Sequence, residues 1–154
     1  MKKMIVIAFV AMMWCGTVSA RTVSNLIAEF RGEPQASFIH VPKTMIRAGL
    51  SMMPQLPIDL KGVSSVEVLN VGDCSKKVKR QFMNRLNETD DLNNYSLLLK
   101  NSDGGENTRI YAKEKNGNIS EMVVITWDRN DATLVRMKGK ISPDSLQPVL
   151  SMNK

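Results

Sequence analysis

Apolar residues recur at helical spacing in some stretches of the chain and alternate in others, and the change of period marks the elements. Leu26, Ile27 and Phe30 share one side of a short helix that Ser24 can cap and Gly32 can end. Residues 33–35 (Glu-Pro-Gln) break the chain, and residues 36–41 (ASFIHV) predict a strand stopped by Pro42. A second helix is expected over residues 44–53, with Met45, Ile46, Leu50 and Met53 at three- and four-residue spacings. Pro54 and Pro57 close it and open a surface loop. Residues 63–71 hold the next strand, centred on Val66 and Val68. Ser75 then caps the clearest amphipathic helix. Val78, Phe82 and Leu86 recur every fourth residue with Met83 at the edge of the stripe, while Lys76, Lys77 and Arg80 point away from it.

The C-terminal half alternates. Residues 95–99 lead into a polar turn over 101–105 (Asn-Ser-Asp-Gly-Gly). Strands over 109–115 and 118–126 flank Asn116-Gly117, a pair that favours a two-residue type I′ hairpin because both positions need positive φ. Counting outward from that turn sets Lys115 opposite Asn118, Ile110 opposite Val123 and Tyr111 opposite Met122. Residues 128–131 form the next turn and 132–138 the last strand. There Val135 and Met137 take one face, and Leu134, Arg136 and Lys138 take the other. Ser142, Pro143 and Asp144 supply the cap, the first-turn proline and the first-turn acid of a final short helix docked by Leu146, Val149 and Leu150. The expected fold is a two-layer α+β domain, mainly antiparallel and ending in a β-meander, with helices largely on one face.

The beginning of the chain follows a different rule. Lys2 and Lys3 precede an unbroken apolar run over residues 4–14, and Val18-Ser19-Ala20 places small residues where a signal peptidase reads them. The run is shorter than the roughly 20 apolar residues that a membrane span takes. The pattern predicts an export signal over residues 1–20 and one domain over 21–154, with no membrane span. Cys15 is the alternative junction, that of a lipoprotein. Trp14 is far larger than the small residue such a junction accepts, so the expected product is soluble rather than anchored at Cys15.

Without the leader the net charge is about +4, against +6 for the whole chain. That suits an anionic envelope surface, but it lacks the dense basic patch with aromatic partners that nucleic acid calls for. Cys74 is then alone, so no internal disulfide supports the fold, and a lone cysteine of this kind is most simply a small buried hydrophobe. Cys74 and His40, the one histidine, are the only candidates for a nucleophile and its base. No glycine-rich elbow surrounds Cys74, although a helix N-terminus does favour a thiolate. One cysteine and one histidine fall short of a zinc set. Met45, Met52 and Met53 near His40 read as adaptable packing rather than Cu(I) ligands. The turn at 128–131 has too few carboxylates for calcium, and the glycines at 104–105 are not followed by the Lys and Ser/Thr of a phosphate loop. No cofactor is implied. Lys76, Lys77 and Arg80 remain as a possible anion-binding surface, or simply a solvated helix face. The two N-glycosylation triplets at Asn87 and Asn118 would count only in a eukaryotic protein, and such short triplets arise often by chance.

The segments Arg109-Ile110-Tyr111-Ala112-Lys113, Glu121-Met122-Val123-Val124-Ile125 and Leu134 through Ile141, with Phe38 through Met45 before a Met-rich helix, resemble the domain of unknown function 4252 family. The resemblance covers roughly residues 25–150. It implies an exported or lipid-anchored bacterial envelope protein and brings no activity, cofactor or catalytic residue. The expectation is a non-catalytic module of the periplasm or cell envelope that binds a protein or surface ligand. A small envelope enzyme built on His40 and Cys74 is the rival.

Overall fold

The computed structural model describes residues 22–52, 61–89, 92, 94–147 and 151. The leader, the loop prolines Pro54 and Pro57, and Met53, Val149 and Leu150 lie outside the described residues. The elements run α1 (Val23–Phe30), β1 (Ser37–Pro42), α2 (Lys43–Met52), β2 (Val63–Asn70), α3 (Lys76–Asn87), β3 (Ser96–Asp103), β4 (Glu106–Lys115), β5 (Asn118–Trp127) and β6 (Ala132–Ile141), followed by a 3-10 turn over Pro143–Leu146. The strands form one open sheet in the order β1-β2-β6-β5-β4-β3, antiparallel throughout. The fold is therefore α+β. Its last four strands are the expected meander, and β6 closes it by inserting between β5 and β2.

Two helices take one face. Val23, Leu26, Ile27 and Phe30 of α1 and Phe82 and Leu86 of α3 pack on Leu69, Val123, Ile125 and Leu134 of the sheet. The Phe30 and Phe82 rings meet edge to face, with centroids 5.3 Å apart. The opposite face is covered in part by α2, through Ile46, and by Leu146 of the C-terminal turn; these pack with Val63, Ile110, Ala112, Ile119, Met122 and Ile141. Helices largely on one face thus holds for α1 and α3, while α2 takes the other. That helix follows β1 directly: Pro42 ends the strand and Lys43 begins the helix with no residue between them.

Local chemistry sets several details. Thr22, not Ser24, caps α1, its hydroxyl accepting from the Asn25 N–H at 3.2 Å. Ser75 caps α3 as expected, accepting from the Val78 N–H. Asn116 and Gly117 both have positive φ, at 54° and 79°, which the type I′ turn demands. Lys115 faces Asn118 as counted, but Ile110 faces Val124 and Tyr111 faces Val123, one residue off the expected register. A bulge causes the slip. Ser120 is the extra residue between Ile119 and Glu121, and its hydroxyl donates to the Lys113 carbonyl. In β3 the strand continues through Asp103, so the turn shrinks to Gly104-Gly105. Where β2 starts beside the end of β6, a Cβ on Gly139 would lie 2.2 Å from the Gly62 carbonyl oxygen, so no larger residue fits there.

Candidate functional site

The register aligns side chains into rows across the sheet. On the face carrying α1 and α3, Phe38, Leu69, Leu134 and Ile125 stand abreast on β1, β2, β6 and β5. Two residues further along, the neighbouring row reads His40, Glu67, Arg136, Val123 and Tyr111. Charge thus follows directly on core. The Arg136 side chain is only 7% exposed, and Glu67 and Glu121 are 19% and 15% exposed.

Arg136 is the centre of this row. Its Nε donates to Glu67 Oε2 at 2.6 Å, and its Nη2 pairs with the same oxygen. Its Nη1 donates to the Ser24 hydroxyl at 2.6 Å, tying the first turn of α1 to the sheet. Glu121, diagonally placed on β5, brings Oε1 to 3.8 Å from Nη1, beyond hydrogen-bond range. His40 Nδ1 lies 3.8 Å from Glu67 Oε1 at the open edge of the row. A buried guanidinium held by a carboxylate and a hydroxyl serves as a structural clamp, and this clamp fixes α1 against β2 and β6.

The proposed pair does not meet. His40 is exposed on β1, three residues (roughly 10 Å along a strand) from Ser37, which pairs with Asn70. Cys74 follows Asn70 beyond the opposite end of β1, buried in the turn before α3, where its Sγ lies 3.6 Å from the Pro34 carbonyl oxygen. Burial pushes the Cys74 thiol up, and the carboxylates of Glu33 and Asp73 add to this against an opposing pull from Lys79. A thiol so placed stays protonated, which is the chemistry of packing rather than attack. Lys76, Lys77 and Arg80 are exposed on α3, as the helical spacing places them. Their neighbours are engaged: Lys79 Nζ donates to the Asn130 carbonyl at 2.6 Å, and Arg85 pairs with Glu29 at 3.3 Å.

Glu106, Thr126, Trp127, Asp128 and Asp131 line a recess of about 60 Å³, room for a few water molecules. The Arg109 guanidinium stacks on Trp127, 5.0 Å from the ring centre. Asp128 Oδ1 accepts the N–H groups of Asn130 and Asp131 at 2.7 Å each, and these bonds hold its carboxyl below the usual range. That ties the carboxylate to its own turn. Among the described residues no group of three or more His, Cys, Asp or Glu side chains is arranged to hold a metal ion. Nor is any described helix long and apolar enough to cross a membrane.

The other face carries a second apolar row, Ile39, Val68, Val135, Val124, Ile110 and Leu99, one residue from each strand. Ser37, Asn70, Thr133, Thr126, Thr108 and Asn101 run beside it, uncharged and polar across the full width. Ile39 is 54% exposed at the β1 end, and Met45 and Met52 are exposed on α2. The last two are seven residues apart, so they share a face of that helix. Leu97 and Leu98 are exposed on the opposite edge strand, β3, where a bulge separates Leu97 from Leu99.

The sequence reading missed the Glu67–Arg136–Glu121 cluster. A signal existed, because Arg136 alternates onto the same face as Leu134, and a charge on a core face needs a partner. Which carboxylates answer it depends on β6 lying between β2 and β5. No curated protein and no solved structure matches the chain. A family model does match, over residues 30–149, and its description is domain of unknown function (DUF4252). With that match spanning most of its length, the chain belongs to the DUF4252 family.

Proposed function

We propose that this protein is an exported bacterial cell-envelope module that binds a protein or surface ligand and performs no catalysis. The observation that carries binding is the set of large apolar side chains left in solvent on β1 and α2: Ile39, Met45 and Met52. Methionines on an exposed helix face adapt to varied partner surfaces. Export is supported by the basic start, the apolar run and the small-residue junction of the first twenty residues. The absence of catalysis is supported by the separate placing of His40 and Cys74 and by the raised thiol pKa. Lys76, Lys77 and Arg80 offer the same module a weak anionic contact, one that added salt would screen.

The test is site-specific photo-crosslinking in envelope extracts. A crosslinker at Ile39 or Met52 should trap a discrete adduct that one at exposed Glu114, on β4, does not. Equal labelling from all three positions would remove the proposed surface. Turnover of any substrate by the purified protein, lost in Cys74→Ala or His40→Ala, would replace a binding module with an enzyme.

A further inference from the structure

α3 carries five cations, Lys76, Lys77, Lys79, Arg80 and Arg85, and no acidic residue. Two of them are held by the fold, Lys79 on the Asn130 carbonyl and Arg85 on Glu29. Lys76, Lys77 and Arg80 are exposed, and among the described residues none of them has an ion-pair partner. Spacings of three and four residues make them neighbours on successive turns. Asn84 and Asn87 continue the same outer face, opposite the buried Phe82 and Leu86. About 17 Å of helix thus presents cations and amides without a carboxylate.

The helix gains nothing from this arrangement. Its aligned peptide dipoles already make the first turn positive, so an acidic residue is the stabilising choice there. α3 has none in that turn and places Lys76 and Lys77 there instead. A local choice that opposes the stability of its own element marks a use outside the fold. Dipole and lysines add, and the positive potential is strongest where α3 begins.

Shape and side-chain type identify the partner. The outside of a helix is convex, which suits a plane of negative charges rather than one enclosed anion. Lysines and amides without an aromatic side chain are unlike the core of a protein interface, and they offer no platform for nucleic-acid bases. Clustered cations on an amphipathic helix do match the phosphates of an anionic bilayer. We infer that the outer face of α3 docks on the surface of an anionic phospholipid membrane. α1 and α3 lie on one side of the sheet, with Ile39, Met45 and Met52 on the other. The docked protein therefore turns its exposed apolar side chains away from the bilayer. This names the surface ligand of the envelope module and rests on that reading.

The experiment takes the protein purified from an exporting bacterium and sediments it with phosphatidylcholine vesicles, with and without phosphatidylglycerol. Binding should require phosphatidylglycerol. It should be lost as salt shortens the Debye length from about 10 Å at 0.1 M to about 3 Å at 1 M. The triple variant Lys76→Gln, Lys77→Gln, Arg80→Gln should bind about 100-fold more weakly, at roughly fivefold for each cation. It should melt no lower than the parent, because first-turn cations oppose the helix dipole. Lys100→Gln, Lys115→Gln, Lys140→Gln together remove the same charge from exposed positions on β3, β4 and β6, and should weaken binding far less. A quencher carried on the lipid headgroup should dim a fluorophore attached at Asn84→Cys and spare one at Met52→Cys. No binding to phosphatidylglycerol vesicles overturns the proposal and hands the face to an acidic protein. Equal losses in the two triple variants, or stronger quenching at Met52, overturn it as well. So does a lower melting temperature in the α3 variant, which would return these charges to the fold. Mass spectrometry of the product decides export separately. A chain that keeps residues 1–20 sinks the export reading, while the two triple variants still decide the membrane contact.

Discussion

The two faces of the sheet are built from the same strands and carry the same kind of apolar row, yet they end differently. On one, Leu69, Leu134 and Ile125 lie under α1 and α3 and are fully or nearly fully buried. On the other, Val68, Val135 and Val124 are only partly buried, and the row runs out at Ile39 in solvent. Alternation alone cannot tell these faces apart, because both are apolar. Helix docking does. The face that receives two helices also places its charges inside, at Glu67, Arg136 and Glu121, whereas the row beside the apolar row of the half-open face carries hydroxyl and amide groups. One face is committed to stability, and the other leaves large apolar side chains in solvent.

Substitutions can break that contrast, and the deepest should act most strongly. Phe82→Ala empties the site of a fully buried ring packed on Phe30 and should cost about 3–5 kcal/mol in denaturant unfolding. A loss no larger than that of Val124→Ala on the other face would end the contrast. Arg136→Met comes next. It strands Glu67 and Glu121 in a largely dry setting and should cost about 2–4 kcal/mol, while the double change Arg136→Met with Glu67→Met should recover most of it. If the double variant is no better than the single, Arg136 acts through packing rather than charge.

Cys74 sharpens the rim of the covered face. Its folded pKa lies above the value of about 8.5 in an unfolded chain. The stability linked to the protonated thiol is therefore fully present below that value and is lost as pH rises through the folded pKa. Alkylation of the native thiol at pH 8 should lag well behind that of the urea-unfolded chain, and Cys74→Ala should flatten the alkaline limb of the stability profile. Rapid native labelling would place the thiol in solvent. The smallest effect is expected at Ile39→Ser, within about 0.5 kcal/mol of the parent in thermal unfolding, because the side chain is mostly exposed already. A large loss there would mean that the open face is part of the core.

Much of the fold was legible, for identifiable reasons. The α3 stripe of Val78, Phe82 and Leu86 and its Ser75 cap follow from spacing and from one hydroxyl, both local. The Asn116-Gly117 turn is local too, since few other pairs accept positive φ twice in succession. The register counted from that turn failed after two pairs, because Ser120 could either keep the pleat or bulge, and a side-chain hydrogen bond to Lys113 favours the bulge. Ser24 looked like the cap of α1, but Thr22 takes that role and Ser24 turns to Arg136. Both hydroxyls suit a helix start, and only the guanidinium on β6 separates them.

The chain by itself determined the order of elements, their amphipathic faces and the hairpin turn, because each depends on residues within a few positions of one another. Tertiary structure decided which strands adjoin, and everything that depends on adjacency. β6 lies between β2 and β5, so Arg136 meets Glu67 from 69 residues away and Ser24 from 112. Pairings so distant carry no local signature in composition or period. They exist only once the sheet has closed and the long loops have lost their freedom.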